Sequence, residues 1–253
     1  MSPPGRPAGE PLRALQDGTP KGPAGLLFDL DGTLIDSMPL HHAAWAAWHR
    51  GRALPFDDAG FFAATAGRTN AEILFDLFPA LSDDERWALA EDKERLYREA
   101  AARSLQMIAG FEPLRAAARA AGCRLAICTA SPLGNIEVAV QRFGLDRLFD
   151  TIVSPADGLR GKPHPDIFLE AARRLGLPAA QCVVFEDAPL GVEAARRAGM
   201  RAVALTTTLP AQAFAAFDNL LFTAPDFSGL DLGSLASTAA GPTPTTRSET
   251  RHA

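Results

Sequence analysis

Cysteine is scarce: Cys123, Cys128 and Cys182 are the only three in 253 residues, and no two have CxxC spacing. Three are too few for a disulfide framework. Each sits in or beside an apolar run, where a thiol serves as a small core residue rather than a ligand or nucleophile. The chain is therefore expected to be a reduced, intracellular protein. An excess of positive charge is also missing. Lys and Arg total 25 against 30 Asp and Glu, a net charge of −5, and no Lys/Arg-rich stripe is present, which argues against a nucleic-acid partner. No apolar run approaches the length of a membrane span or a signal-peptide core, which argues against a membrane partner. No internal repeat is found. Apolar residues make up 47 %, ample for a packed core, and the length suits one large domain or two modest ones. The expectation is a soluble, cytoplasmic, monomeric globule.

Residues 1–23 are rich in proline and glycine and read as a disordered leader. Residues 234–253 lack apolar periodicity and read as a disordered tail. Between them the pattern changes twice. After residue 37 helical spacing dominates, with Trp45 and Trp48 three apart and segments 39–49, 59–66 and 69–78 in the same style. A capping box of Ser-Asp-Asp-Glu opens a long charged helix over 82–103. No strand signal appears in this stretch, so residues 38–105 read as an all-helical inserted domain.

From residue 110 strands and helices alternate. Strands are predicted over 124–128, 151–153, 182–185 and 201–205, with one more over 219–222. Helices are predicted over 111–121, 135–143, 165–175 and 190–198. This alternation implies an α/β fold whose doubly wound, Rossmann-like parallel sheet is covered on both faces. The core is expected from residues 24–37 and 106–233.

The stretch the chain is organised around is residues 26–37, LLFDLDGTLIDS. Leu26, Leu27 and Phe28 read as a buried strand that ends in Asp29-Leu30-Asp31-Gly32-Thr33. Two carboxylates at the mouth of a buried strand are costly unless they are paired or bind a metal. As an ordinary device they would cap turns in an Asp-Gly loop. Ligands of open α/β sheets bind outside the carboxyl ends of the strands, so the residue after each apolar run matters. The second run delivers Thr129, then Ala130 and Ser131; a later one delivers Glu186 and Asp187. Lys162 lies in the loop Gly161-Lys-Pro-His-Pro ahead of a helix. Four acids (Asp29, Asp31, Glu186 and Asp187), the Thr129 hydroxyl and Lys162 therefore project toward one rim.

In this order, Asp29/Asp31, Thr129, Lys162 and Glu186/Asp187 resemble the four motifs of the haloacid dehalogenase (HAD) superfamily of phosphoryl-transfer enzymes. The resemblance spans residues 25–205. The helical insertion directly after the first motif resembles that of the β-phosphoglucomutase-like subfamily. So do His41 with Trp45 four residues on, Lys93 with Tyr97 on the long helix, and the run FEDAPLGVEAARRAGM.

The resemblance implies Asp29 as the nucleophile forming an aspartyl-phosphate. It implies Asp31 as general acid and then base, with a pKa raised toward neutrality by neighbouring acids and partial burial. Mg²⁺ would be the cofactor, held by Asp29, Asp187 and the Asp31 main-chain carbonyl, with Glu186 as an outer or alternative ligand. Thr129 and Lys162 would hold the non-transferred phosphate oxygens. Candidate substrate contacts are His41, Gly67, Arg68, Thr69, Asn70, Lys93, Ala130 and Ser131. Without the resemblance, His41 reads as a solvent-facing residue at a helix start. Lys93, in the charged run EDKER, would then read as part of a solvated face.

One departure bears on the reaction. True β-phosphoglucomutases carry roughly Lys-Gly-x-Ser-Arg in the cap loop, where the Arg grips the distal phosphate of a bisphosphate. This chain has Ala66-Gly67-Arg68-Thr69-Asn70, with Asn70 at the position of that Arg. The first reading is thus a Mg²⁺-dependent phosphatase of a small phosphorylated metabolite, a sugar or polyol phosphate. A β-phosphoglucomutase using the same nucleophile is the alternative, ahead of an inorganic pyrophosphatase or a non-catalytic phospho-ligand binder.

Overall fold

The computed structural model describes residues 22–65 and 68–236. Residues 1–21 of the expected leader and 237–253 of the expected tail lie outside the described residues, as do Ala66 and Gly67 of the cap loop.

Strand β1 (Gly25–Phe28) comes first in the chain and lies at the centre of the sheet. Its four residues are fully buried, so an unbroken apolar run is what the position requires. The chain then leaves the sheet for four helices: α1 (Met38–Gly51), α2 (Asp58–Thr65), α3 (Asn70–Leu77) and α4 (Asp83–Ser104). Capping boxes open two of them, Thr69 with Glu72 at α3 and Ser82 with Glu85 at α4. Trp45, Trp48, Ile73 and Leu74 form a small core of their own between these helices. The segments leaving and re-entering the core are tied together, Asp36 N–H to Gln106 C=O at 2.9 Å and Ile108 N–H to Leu34 C=O at 2.9 Å.

The rest alternates as α5 (Phe111–Ala120), β2 (Arg124–Cys128), α6 (Leu133–Phe143), α7 (Leu145–Leu148), β3 (Thr151–Val153) and α8 (Asp166–Leu175). Then come β4 (Cys182–Glu186), α9 (Pro189–Arg197), β5 (Arg201–Leu205), β6 (Leu220–Ala224) and α10 (Leu232–Leu235). All strand pairs are parallel, in the order β3-β2-β1-β4-β5-β6. Side chains alternate between two cores. Leu26, Phe28, Ile127 and Phe185 face α5 and the inserted helices, whereas Leu27, Ala126, Cys128 and Val184 face α8 and α9. Phe28 sits in a nest of Phe111, Phe149, Phe185 and Phe227, with ring centroids 4.7–5.9 Å away. That packing fixes the strand whose next residue is Asp29.

The doubly wound α/β sheet with a helical insertion matches the expected fold. Strands over 124–128, 151–153 and 201–205 agree residue for residue, while other ends move by one or two positions. The last strand runs two residues further than expected, and its register against β5 shifts by one residue between Ala202 and Val203. Helices α7 and α10 are four residues each, too short for a period to show in sequence. No helix among the described residues is long and apolar enough to cross a membrane. The three cysteines are free and buried, and burial pushes each thiol up, Cys182 to about 11.

Candidate active site

The strand order reverses between β1 and β4, which opens a crevice at their carboxyl ends. Asp29 leaves β1 with its N–H bonded to Phe185 C=O of β4 at 3.0 Å, so the sheet ladder still holds its backbone. Lys162 reaches in from the loop before α8 and donates to Asp29 Oδ1, and its Nζ lies 2.6 Å from Glu186 Oε1. Asp187 accepts from Thr33 at 3.1 Å and from Thr208.

Asp29, Glu186 and Asp187 are all buried and can bring one carboxylate oxygen each within 4.8 Å of the others. Burial pushes Asp29 up to about 7. Lys162 pulls against that shift, while Glu186 and Asp31 add to it. Asp187 is likewise pushed up to about 7, by burial and then by Asp29. Glu186 is also raised, mainly by burial. Burial disfavours the Lys162 ammonium, but Asp29 and Glu186 outweigh it and hold it above the ordinary lysine value.

Three carboxylates around one ammonium leave an excess of buried negative charge, and their donors are all oxygen, the set a hard divalent cation takes. Two glycines keep this cradle open. A Cβ on Gly191 would lie 1.9 Å from the Glu186 carboxyl, and one on Gly32, whose φ is +73°, would lie 2.2 Å from Asp187 Oδ2. The residues present fit a divalent metal.

The Asp31 carboxylate stands outside this cluster. Ser131 donates to its Oδ2, and His41 Nε2 lies 3.7 Å from its Oδ1. The expected rise in its pKa is not what the structure gives. Burial does push Asp31 up, but hydrogen bonds and charge from His41, with Ser131 and Ser37, outweigh it and hold the group at about 2. Thr129 is buried at the end of β2, and its Oγ1 accepts from Ser131 N–H at 3.0 Å.

The inserted helices bring further side chains beside Asp31. His41 stacks on Tyr97 with centroids 3.8 Å apart and planes 4° from parallel, and its Nδ1 lies 2.7 Å from Lys93 Nζ. Lys93 is 2 % exposed, so it is not the solvated residue its charged neighbours suggest. It donates to Glu94 at 2.9 Å, and Asn70 donates to the same carboxylate at 2.6 Å.

Other candidates do not join. Arg68 turns outward to Asp76 at 2.8 Å and Glu72 C=O at 3.1 Å. Thr69 spends its hydroxyl on the α3 cap with Glu72. Ala130 is exposed and offers no polar side-chain atom, and Gly67 lies outside the described residues. Thr33, Ser37, Glu94, Asn135 and Thr208 were not among the candidates. Applying the strand-end rule to β5 as well would have found Thr207, which donates to Gly32 C=O, and Thr208.

Known proteins resemble this chain across the same region. The family model for haloacid dehalogenase-like hydrolases matches residues 23–199. The validoxylamine A 7'-phosphate phosphatase of Streptomyces hygroscopicus subsp. limoneus is 36% identical over 202 residues, covering 77% of this chain and 91% of that protein. The fructose-1-phosphate phosphatase YqaB of Escherichia coli (strain K12) is 35% identical over 184 residues, covering 71% of this chain and 95% of that protein. A crystal structure of a HAD hydrolase, family IA, variant 3, from Entamoeba histolytica superposes with a TM-score of 0.77 at 29% identity. That superposition covers 84% of this chain and 97% of the other.

Proposed function

Because the chain belongs to the haloacid dehalogenase-like hydrolases, we propose that it is a Mg²⁺-dependent phosphatase of a sugar or polyol phosphate, with Asp29 as the nucleophile. The observation that carries this reading is the buried group of Asp29, Glu186 and Asp187 around Lys162 at the mouth of β1. HAD hydrolases generally use Mg²⁺, and the phosphatases similar to this chain act on validoxylamine A 7'-phosphate and fructose 1-phosphate.

Asp29, Asp187 and Glu186 would hold the metal, which when bound neutralises phosphate oxygens that otherwise repel a carboxylate. Lys162 screens the charge of Asp29 and would take a non-bridging oxygen, as would the Thr129 hydroxyl. The Asp29 carboxylate attacks phosphorus, the ester P–O bond breaks, and the leaving oxygen takes a proton from Asp31. Water then gives a proton to Asp31 and attacks phosphorus, releasing inorganic phosphate and free Asp29. At rest Asp31 is ionised, the form the second step needs. A phosphate dianion beside it raises its proton affinity for the first.

The helical insertion, residues 38–105, would act as a cap over this centre, with His41 and Lys93 facing Asp31. Hydrolysis rather than phosphate migration is supported by the cap loop. Asn70, where a mutase has its distal-phosphate Arg, is committed to Glu94, and Arg68 is paired outward with Asp76. The test is phosphate release from sugar and polyol monophosphates with and without Mg²⁺. Turnover of at least one, abolished by chelation, is expected. A panel without metal-dependent release would overturn the reading.

A further inference from the structure

Glu94 is 4 % exposed and accepts three side-chain donors from three different places. Lys93 Nζ is 2.9 Å and Asn70 Nδ2 2.6 Å from its Oε1, and Asn135 Nδ2 is 2.7 Å from its Oε2. Lys93 and Glu94 lie in the middle of α4 and Asn70 at the start of α3, both in the helical insertion. Asn135 belongs to the first turn of α6 in the α/β core, four residues after Ser131, which donates to Asp31. One carboxylate thus joins the cap loop, the long cap helix and the core segment that holds Asp31.

Asn135 is 3 % exposed, and its Oδ1 is buried without a hydrogen-bond partner. A polar side chain placed only to pack would not leave an acceptor stranded, so its bond to Glu94 is what keeps it there. On its other side Glu94 fixes Lys93, which meets His41 Nδ1 at 2.7 Å, and His41 Nε2 looks toward Asp31 at 3.7 Å. A counter-ion for a buried lysine could do with the Lys93 contact alone. The additional bonds to Asn70 and Asn135 go beyond that need.

We propose that Glu94 is a positioning residue that latches the helical insertion onto the α/β core through Asn135 and thereby sets Lys93 and His41 against Asp31. The activity readout rests on the phosphatase reading above; the scattering readout does not.

The test uses the full chain with Asn135→Asp, Glu94→Gln and the double variant, all verified as folded at the assay temperature. Asn135→Asp sets two carboxylates against each other and breaks the latch. In the double variant a Gln at 94 donates to an Asp at 135, and the bond returns with its polarity reversed. With p-nitrophenyl phosphate and Mg²⁺, each single variant is expected to lose tenfold or more in kcat/KM. Adding Glu94→Gln to Asn135→Asp is expected to raise activity rather than lower it, a reversal of sign that independent sites do not show. A purely structural role would leave kcat and KM of the folded variants unchanged, which would overturn the proposal. Small-angle scattering gives the second readout, a larger radius of gyration for Asn135→Asp than for wild type, recovered in the double variant. If wild type hydrolyses nothing, the phosphatase reading fails while scattering still decides the latch. An unchanged radius of gyration would overturn it.

Discussion

Gly191→Ala sets two effects of opposite sign against each other. Gly191 is the third residue of α9, and replacing a helical glycine by alanine ordinarily stabilises by about 1 kcal/mol. Here the new methyl would sit 1.9 Å from both Cδ and Oε1 of Glu186, a side chain only 1 % exposed. Something must move. Overpacking an interior costs about 1–3 kcal/mol. Displacing Glu186 also separates it from Lys162, 2.6 Å away, and breaking a buried ion pair costs about 3–5 kcal/mol. The clash wins, with a net loss of a few kcal/mol, or a drop in Tm on the order of 5–10 °C for a chain of this size. Circular-dichroism melts with and without Mg²⁺ measure it. The Mg²⁺-induced rise in Tm should shrink as well, because Glu186 belongs to the acidic cradle. A variant as stable as wild type, with the same response to Mg²⁺, would refute the reasoning.

The raised pKa values predict a pH effect on the metal-free protein. Asp29 and Asp187 each move from 3.8 to about 7 on folding, so the folded state binds protons the unfolded chain has released. Their contribution is fully favourable below about pH 4 and lost as pH rises through 7, on the order of a few kcal/mol. With EDTA, stability should fall from pH 5 to pH 8, and Mg²⁺ should restore more at pH 8 than at pH 5. An EDTA melt that rises over that range contradicts the assignment. Asp29→Asn should abolish turnover while leaving the metal-free Tm at pH 8 equal to or above wild type, because one of three crowded carboxylates loses its charge. Ser131→Ala removes a donor that holds Asp31 low, so the acidic limb of the pH–rate profile should move up. An unmoved limb would mean that Ser131 does not set it.

Much of this was legible in the sequence because it follows from local pattern. Buried parallel strands must be apolar end to end, so runs such as residues 26–28 and 124–128 announced themselves, and Asp29, Thr129 and Glu186 followed as the residues that end them. What failed depended on neighbours distant in the chain. Lys93 looks solvated among charged residues until α1 and α4 pack and enclose it with His41 and Tyr97. Asp31 has an acidic neighbour in sequence, but its nearest groups in space are Ser131 and His41, so its pKa falls instead of rising. Arg68 was the obvious cation of the cap loop, yet Asp76 lies two turns along α3 and draws it outward. Glu94 carried no signal at all. Its importance comes from Asn135, 41 residues away.

The central claim is phosphate transfer to water through Asp29, and ³¹P NMR tests it most directly. Wild type and Asp29→Asn are incubated with Mg²⁺ and fructose 1-phosphate, then with other sugar and polyol monophosphates. Inorganic phosphate as the sole new signal from wild type, and none from Asp29→Asn, is predicted. A new sugar-phosphate signal without inorganic phosphate, or equal release by the variant, would contradict the account.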